Sequence, residues 1–288
     1  MQEGKLTVVV PAHNESNYIR KCLEALLEQH EDIHEILVVD NNSSDGTAQI
    51  VDSISAEYPI VRRVFEERPG VVFARNAGFE AASGEFIGRI DADTRVRPGW
   101  AKTVLEYFVR EDSSKVGAIC GLNNSYDSPF RAVKGLFVKF LVKVGVYGGE
   151  KRVGNLHGAN MALRKSAWER VRESVSLDPV VHEDLDLALC LRKNKLEISQ
   201  LDAMFVDISP RRAYTPPSEY TRYIESGFAT FNLHGLLTPK VRRIVRLQWW
   251  CHAFVYMSYK FYDPAIGRFS LRRQVSDYSS RAMPIDLR

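Results

Sequence analysis

Through the first 120 residues, short β-branched runs alternate with segments of helical period, and that alternation leaves the chain few folds to choose from. "LTVVV" is followed by Ile19, Cys22, Leu23, Leu26 and Leu27 at helical spacing, and "EILVVD" by Ala48, Ile50, Val51 and Ile54. Strand, amphipathic helix, strand is a βαβ unit, and a series of them builds a largely parallel sheet. Further strands are expected at Val61 to Phe65, Glu85 to Ile90 and Val116 to Cys120. Ligands of such sheets bind beyond the carboxyl ends of the strands, which is where the polar residues gather. "PAHNE" follows the first strand, "DNNSSDGT" the second and "DAD" the fourth, so Asn14, Glu15, Asp40, Asp91 and Asp93 are expected on one rim.

The second half is less regular. "GLFVKFLVKVGVYGG" reads as a helix with Val133, Phe137, Phe140, Leu141 and Val144 on one face and Lys134, Lys139 and Lys143 off it. "HGANMALRKSAW" reads as a strand entering a helix, and "EDLDLALCLRKN" as a helix with an acidic first turn and a basic last turn. After Pro216 and Pro217 two more helices are expected, from Glu219 to His234 and from Val241 to Tyr262. The expected division is a catalytic α/β unit over residues 1–215, its nucleotide half ending near 120, and a helical extension over 216–288.

Composition narrows the function. A net charge of +3 on 288 residues argues against a nucleic-acid binder, and 45% hydrophobic residues suffice for a proper core. Neither GxGxxG nor GxxxxGK[ST] occurs, which argues against a dinucleotide oxidoreductase and a P-loop NTPase. Cys22, Cys120, Cys190 and Cys251 form no CxxC pair and read as core filler in a reducing cytoplasm. "MQEGKLTVVV" reads as a first strand, not a signal peptide, and no segment reaches the roughly 20 apolar residues of a membrane span. Two stretches nonetheless suit peripheral association with the inner face of a membrane: Phe130 to Val146, and "KVRRIVRLQWWCHAFVYMSYKFY" with its cations before Trp249 and Trp250. Both read equally as ordinary helices packed on the sheet or on a second subunit of a homo-oligomer.

Asp91 and Asp93, one residue apart on an extended chain, point to one side and repel unless something positive lies between them. Mg²⁺ and Mn²⁺ prefer oxygen ligands and often bridge one or two carboxylates to a substrate phosphate. Read alone, "DAD" equally fits two solvated aspartates in a loop. Asp40 is placed to accept from a base edge, and Ser43, Ser44 or Asp45 to cap the helix that follows. Ala74, Ala77, Gly78, Ala81 and Ala82 line a helix able to approach the sheet closely, with Arg75 and Asn76 near its start facing a nucleotide. Asp184 shares a helix face with Leu187, Ala188 and Leu191, so it is either a catalytic base or a first-turn acid that steadies the helix; Glu183 is the alternative base.

The succession "VVVPAHNE", "ILVVDNNSSDGT", "GVVFARNAGFEAASGEFIGRIDADT", "HGANMALRKSAWERV" and "HEDLDLALCLRK" resembles the inverting family-2 glycosyltransferases of the GT-A fold over roughly residues 5 to 195. The resemblance implies a mostly parallel mixed sheet flanked by helices, with the helical C-terminal extension outside it. It places the nucleotide among Pro11, Ala12, Asn14, Glu15 and Asp40, with Arg75 and Asn76 nearby. Asp91 and Asp93 match the family's DxD motif, in which Mn²⁺ or Mg²⁺ bridges the second aspartate to the donor diphosphate and the first holds ribose or metal shell. "HGANMA" lines the sugar and acceptor side, and the "ED" pair puts the catalytic base at Asp184. His157, His182 and His234 are further candidates for the metal shell or for phosphate, with His234 taken as a metal ligand. An ionised phosphate acceptor needs no base, so the pair favours a hydroxyl acceptor, a glycan or lipid-linked saccharide. The donor expected with the resemblance is a nucleotide sugar, taken as UDP-linked. The rival readings are a nucleotidyltransferase and a non-catalytic sugar-nucleotide or glycan-binding module.

Overall fold

The first strand, β1 (Leu6–Ala12), and the second, β2 (Glu35–Asp40), are buried on both faces, which is why each reads as a continuous apolar run rather than an alternation. Period two still divides them. Leu6, Val8, Val10, Ile36 and Val38 enter one core with α1 (Ile19–Leu27), α2 (Thr47–Glu57) and α4 (Trp100–Phe108). Val9, Leu37 and Val39 enter the other with α3 (Val71–Ala81), α5 (Lys165–Val171) and α6 (Glu183–Lys193). Gly78 explains the small-residue face of α3: a Cβ there would collide with Val9 and Val39 of the sheet. This computed structural model describes residues 4–131, 135, 136, 140, 149–263, 268 and 269. Most of the helix expected between Phe130 and Val146 lies outside the described residues.

The main sheet runs β3-β2-β1-β4-β8-β6-β9-β5, with β7 on β9. Its strands are β3 (Val61–Phe65), β4 (Phe86–Arg89), β5 (Arg95–Val96), β6 (Val116–Ser125), β7 (Glu150–Val153), β8 (Met161–Arg164) and β9 (Glu197–Ile208). Pairings among β1 to β4 are parallel, as the βαβ reading requires. In the second half β8 runs antiparallel to both β4 and β6, and β5 and β7 run antiparallel to β9, so the sheet is mixed. β9 has no counterpart among the expected strands. Asp202 and Asp207 interrupt its apolar pattern, and the strand is held by long-range pairing to β6.

Beyond β9 a 3-10 turn, Arg211–Tyr214, leads to Pro216 and Pro217 and then to α7 (Pro217–Leu233) and α8 (Pro239–Tyr259). Tyr220, Ile224 and Val245 form a small core between the two helices, joined by Phe231, Val241 and Trp249. The Trp249 Nε1–H donates to the Pro217 carbonyl at 3.0 Å, tying the middle of α8 to the start of α7. Among the described residues no helix is long and apolar enough to cross a membrane.

Candidate functional site

The loops beyond β1 and β2 are sewn together. Asn14 sits at φ +53°, its Oδ1 accepting from the Ser44 N–H at 2.8 Å and its own N–H donating to Ser43 Oγ at 3.1 Å. Asp45 accepts from the N–H groups of Ser16 and Thr47, joining the β1 loop to the start of α2, whose N-cap is Gly46. Burial works to raise its carboxyl, but the Thr47 and Ser16 hydrogen bonds outweigh burial and bring it down to about 2. Asp40, at the end of β2, is buried; its Oδ1 accepts from the Ser43 N–H and its Oδ2 lies 3.7 Å from Arg63. Pro11 and Ala12 close β1 beside it.

The DxD stretch departs from the expected geometry. β4 stops at Arg89, and the Thr94 N–H bonding the Asp91 carbonyl at 2.9 Å turns the chain, so the aspartates do not share the face of an extended strand. Two guanidinium groups supply the positive charge. Arg89 Nη2 stands 3.0 Å from Asp91 Oδ1 and 3.4 Å from Glu183 Oε1. Arg211 Nη2 donates to Asp93 Oδ2 at 2.7 Å and to both Glu15 oxygens at 2.9 and 2.8 Å. Every one of these side chains is buried, and the Tyr18 ring covers the Arg211 guanidinium at 4.0 Å. As ligands for a divalent cation, Asp91 and Asp93 are chemically suitable, with hard carboxylate oxygens in a buried cleft, and a cation would displace Arg89 and Arg211 from them.

Across the cleft, α6 begins at Glu183. Asp184 Oδ1 accepts from the Leu185 N–H at 2.7 Å and stands 2.6 Å from His182 Nδ1, while Oδ2 accepts from the Gly158 N–H at 3.1 Å. Burial pushes the Asp184 carboxyl up, but His182, the Gly158 N–H and Arg89 outweigh it and hold the group well below the usual carboxylate range. Burial alone would lower the His182 imidazole; Asp184 and Glu183 reverse that and raise it. Glu183 turns its carboxylate toward Arg89 instead.

Two expected residues are placed elsewhere. Arg75 does not face the cleft as a nucleotide ligand: it is fully buried, donating to the Glu183 carbonyl at 2.5 Å and to Asn76 Oδ1 at 3.0 and 2.8 Å, and burial pushes its guanidinium down to about 10. It fastens α3 to the start of α6, and Asn76 serves it. His234 does not join Asp91 and Asp93. Its Nε2 meets Asp186 Oδ1 at 2.7 Å, near Cys190, because α7 ends over the outer face of α6.

Between the strand ends and the C-terminal helices lies a cavity of about 470 Å³. Its polar wall holds Arg89, Asp91, Asp93, His157, Glu183 and Asp184; its apolar wall comes from Phe231, Val241, Ile244 and Val245 on α7 and α8. Sequence reasoning missed Arg89 and Arg211. Arg89 was legible, standing two residues before Asp91 as Asp91 stands before Asp93. Arg211 was not: it lies 118 positions from Asp93 with no pattern linking them.

Sheet order and flanking helices are those of the GT-A fold. The family model described as Glycosyl transferase family 2 matches residues 7–171, more than half of the chain. The protein belongs to that family. Over 109 residues it is 32% identical to the protein named uncharacterized glycosyltransferase YibD of Escherichia coli strain K12, covering 38% of this chain and 32% of that one. The match thus spans about a third of that relative's length. Mannosyltransferase PcManGT from Pyrobaculum calidifontis, solved with GDP-Man and Mn²⁺, superposes with a TM-score of 0.61 at 19% identity, covering 93% of this chain and 74% of that one. Glucosyl-3-phosphoglycerate synthase from Mycobacterium tuberculosis, solved with Mn²⁺, UDP and glucosyl-3-phosphoglycerate, superposes with a TM-score of 0.56 at 16% identity, covering 82% of each chain. At those identities the likeness is one of fold.

Proposed function

We propose that the chain transfers a sugar from a UDP-linked donor to a hydroxyl group of a glycan or lipid-linked saccharide, inverting the anomeric configuration, with Mn²⁺ or Mg²⁺ as cofactor. The observation that carries this reading is the placement of Asp184 opposite Asp91 and Asp93 in one cavity. Asp184 is ionised at neutral pH, the state a base must start in. Its low basicity is adequate, because an attacking hydroxyl becomes strongly acidic once its bond to the anomeric carbon has largely formed. The acceptor oxygen bonds the anomeric carbon, the bond from that carbon to the β-phosphate oxygen breaks on the opposite side, and the proton passes to Asp184. His182 and the Gly158 N–H hold the carboxylate in place for that transfer. Asp93 and Asp91 would hold the divalent cation, whose chemistry would be to offset the charge that develops on the diphosphate leaving group. Asp40 and the loop at Asn14 and Glu15 form the nucleotide end of the site.

A panel of UDP- and GDP-sugars screened by thermal shift, with and without Mn²⁺, tests the reading, since a ligand that binds only the native state raises its apparent stability. A Mn²⁺-dependent shift with one UDP-sugar, and UDP release when a hydroxyl acceptor is added, is expected. Shifts with GDP-sugars alone would reassign the donor. Nucleotide binding without turnover on any acceptor would leave a binding module instead.

A further inference from the structure

Helix α8 carries two apolar faces, and the fold uses one. Val241, Val245, Trp249 and His252 turn inward, against α7 and the 3-10 turn before it. On the opposite side Leu247, Trp250 and Phe254 follow one another at spacings of three and four, exposed by 60%, 68% and 76%, and Ile244, 51% exposed, flanks them at the edge of the cavity. Side chains of this size left that open, in a row, mark an interaction surface rather than scattered exposure. The same helix contains no Asp or Glu, while Lys240, Arg242, Arg243 and Arg246 are all exposed in its first two turns.

We propose that α8 is an interfacial helix that lays this face on an anionic lipid surface. An apolar stripe flanked by arginine and lysine, with tryptophan near its middle, is what headgroups and acyl boundaries receive together. Charge selects this occupant over a second copy docked through the same helix, which would bring four more cations and no acid to meet them. Position adds the consequence. Val241, Ile244, Val245 and Gln248 line the cavity that holds Asp184, so docking would set the mouth of the site at the membrane surface. Resting on the function proposed above, this selects the lipid-linked saccharide over a free glycan as acceptor.

The test is co-sedimentation of the full chain with phosphatidylcholine vesicles, with and without phosphatidylglycerol. Pelleting with the anionic vesicles, weakening as salt is raised, is expected. Arg242→Gln with Arg243→Gln should lower vesicle affinity roughly thirtyfold, at the usual worth of a cation near an anionic surface. Trp250→Glu with Phe254→Glu should abolish pelleting while leaving the melting temperature unchanged. No pelleting at low salt, or equal pelleting of the Trp250→Glu, Phe254→Glu variant, overturns the proposal. So does a dimer in solution that this variant splits, since the face would then join two copies. None of these readouts requires turnover, so failure of the proposed reaction and failure of membrane docking are separately visible.

Discussion

Arg211→Met is the substitution whose cost follows most directly from the geometry. The guanidinium makes four hydrogen bonds to two carboxylates, Glu15 and Asp93, and all three side chains are buried. Methionine fills much of the same volume, so the loss is electrostatic rather than a cavity. Removing one partner of a buried ion pair costs about 3–5 kcal/mol, because the remaining charge stays out of water. For a chain of this size that lowers the melting temperature by roughly 10 °C. The same substitution releases the Asp93 oxygen that a divalent cation needs, so Mn²⁺ should bind the variant more tightly and restore part of the loss. At a hundredfold excess over its dissociation constant a ligand contributes about 2.7 kcal/mol. Urea unfolding followed by tryptophan fluorescence, with and without Mn²⁺, measures both effects. A loss below about 1 kcal/mol, together with a Mn²⁺ response equal to that of the wild type, would refute the view that Arg211 and the metal compete for Asp93.

Asp184→Asn should cut turnover by about a thousandfold, within the range general bases contribute, with donor KM held within about twofold. Nucleoside diphosphate release measures both, and a loss under about tenfold would remove Asp184 as the base. Asp93→Ala should weaken Mn²⁺-dependent donor binding by at least about tenfold in calorimetry, the worth of roughly one charge-assisted contact; unchanged affinity would take Asp93 out of the metal site. Glu35 gives the pH prediction. Burial works to raise its carboxyl, but hydrogen bonds from Ser83, Arg62 and Thr7 bring it from 4.5 down to about 2. Its contribution is therefore complete above pH 4.5 and is lost as pH falls toward 2. Glu35→Gln should cost about 2 kcal/mol at neutral pH, the roughly 3 kcal/mol worth of the shift discounted for the solvent-exposed Arg62 partner. In urea titrations at a series of pH values that gap should close through this acid window; a gap that persists at the acid end would deny the assignment.

How much of this was legible depends on how far each signal travels along the chain. β1, α1 and β2 are local: burial on both sheet faces produces uninterrupted β-branched runs, and one buried helix face produces a 3.6 period. β9 is not local, since its partner β6 ends 72 residues before it begins and two aspartates lie in its pattern. The small face of α3 was readable from composition, whereas the direction of the Arg75 guanidinium depends on the gap to α6, which no spacing within α3 encodes. The demand for positive charge at "DAD" was argued from an extended geometry that the turn at Thr94 removes; repulsion in any case names no particular cation, and the fold supplies Arg89 and Arg211. That does not remove the reason to expect a metal. Five carboxylates, Glu15, Asp91, Asp93, Glu183 and Asp184, converge with three guanidiniums, Arg75, Arg89 and Arg211, in and around the cleft. These eight groups sum to two negative charges, or to one if His182 is charged, and a diphosphate adds more. Donor binding therefore draws on another cation, on Arg212 in the cavity wall, or on the release of a guanidinium from its carboxylate toward the phosphates, and the Mn²⁺ response of Arg211→Met tests the first.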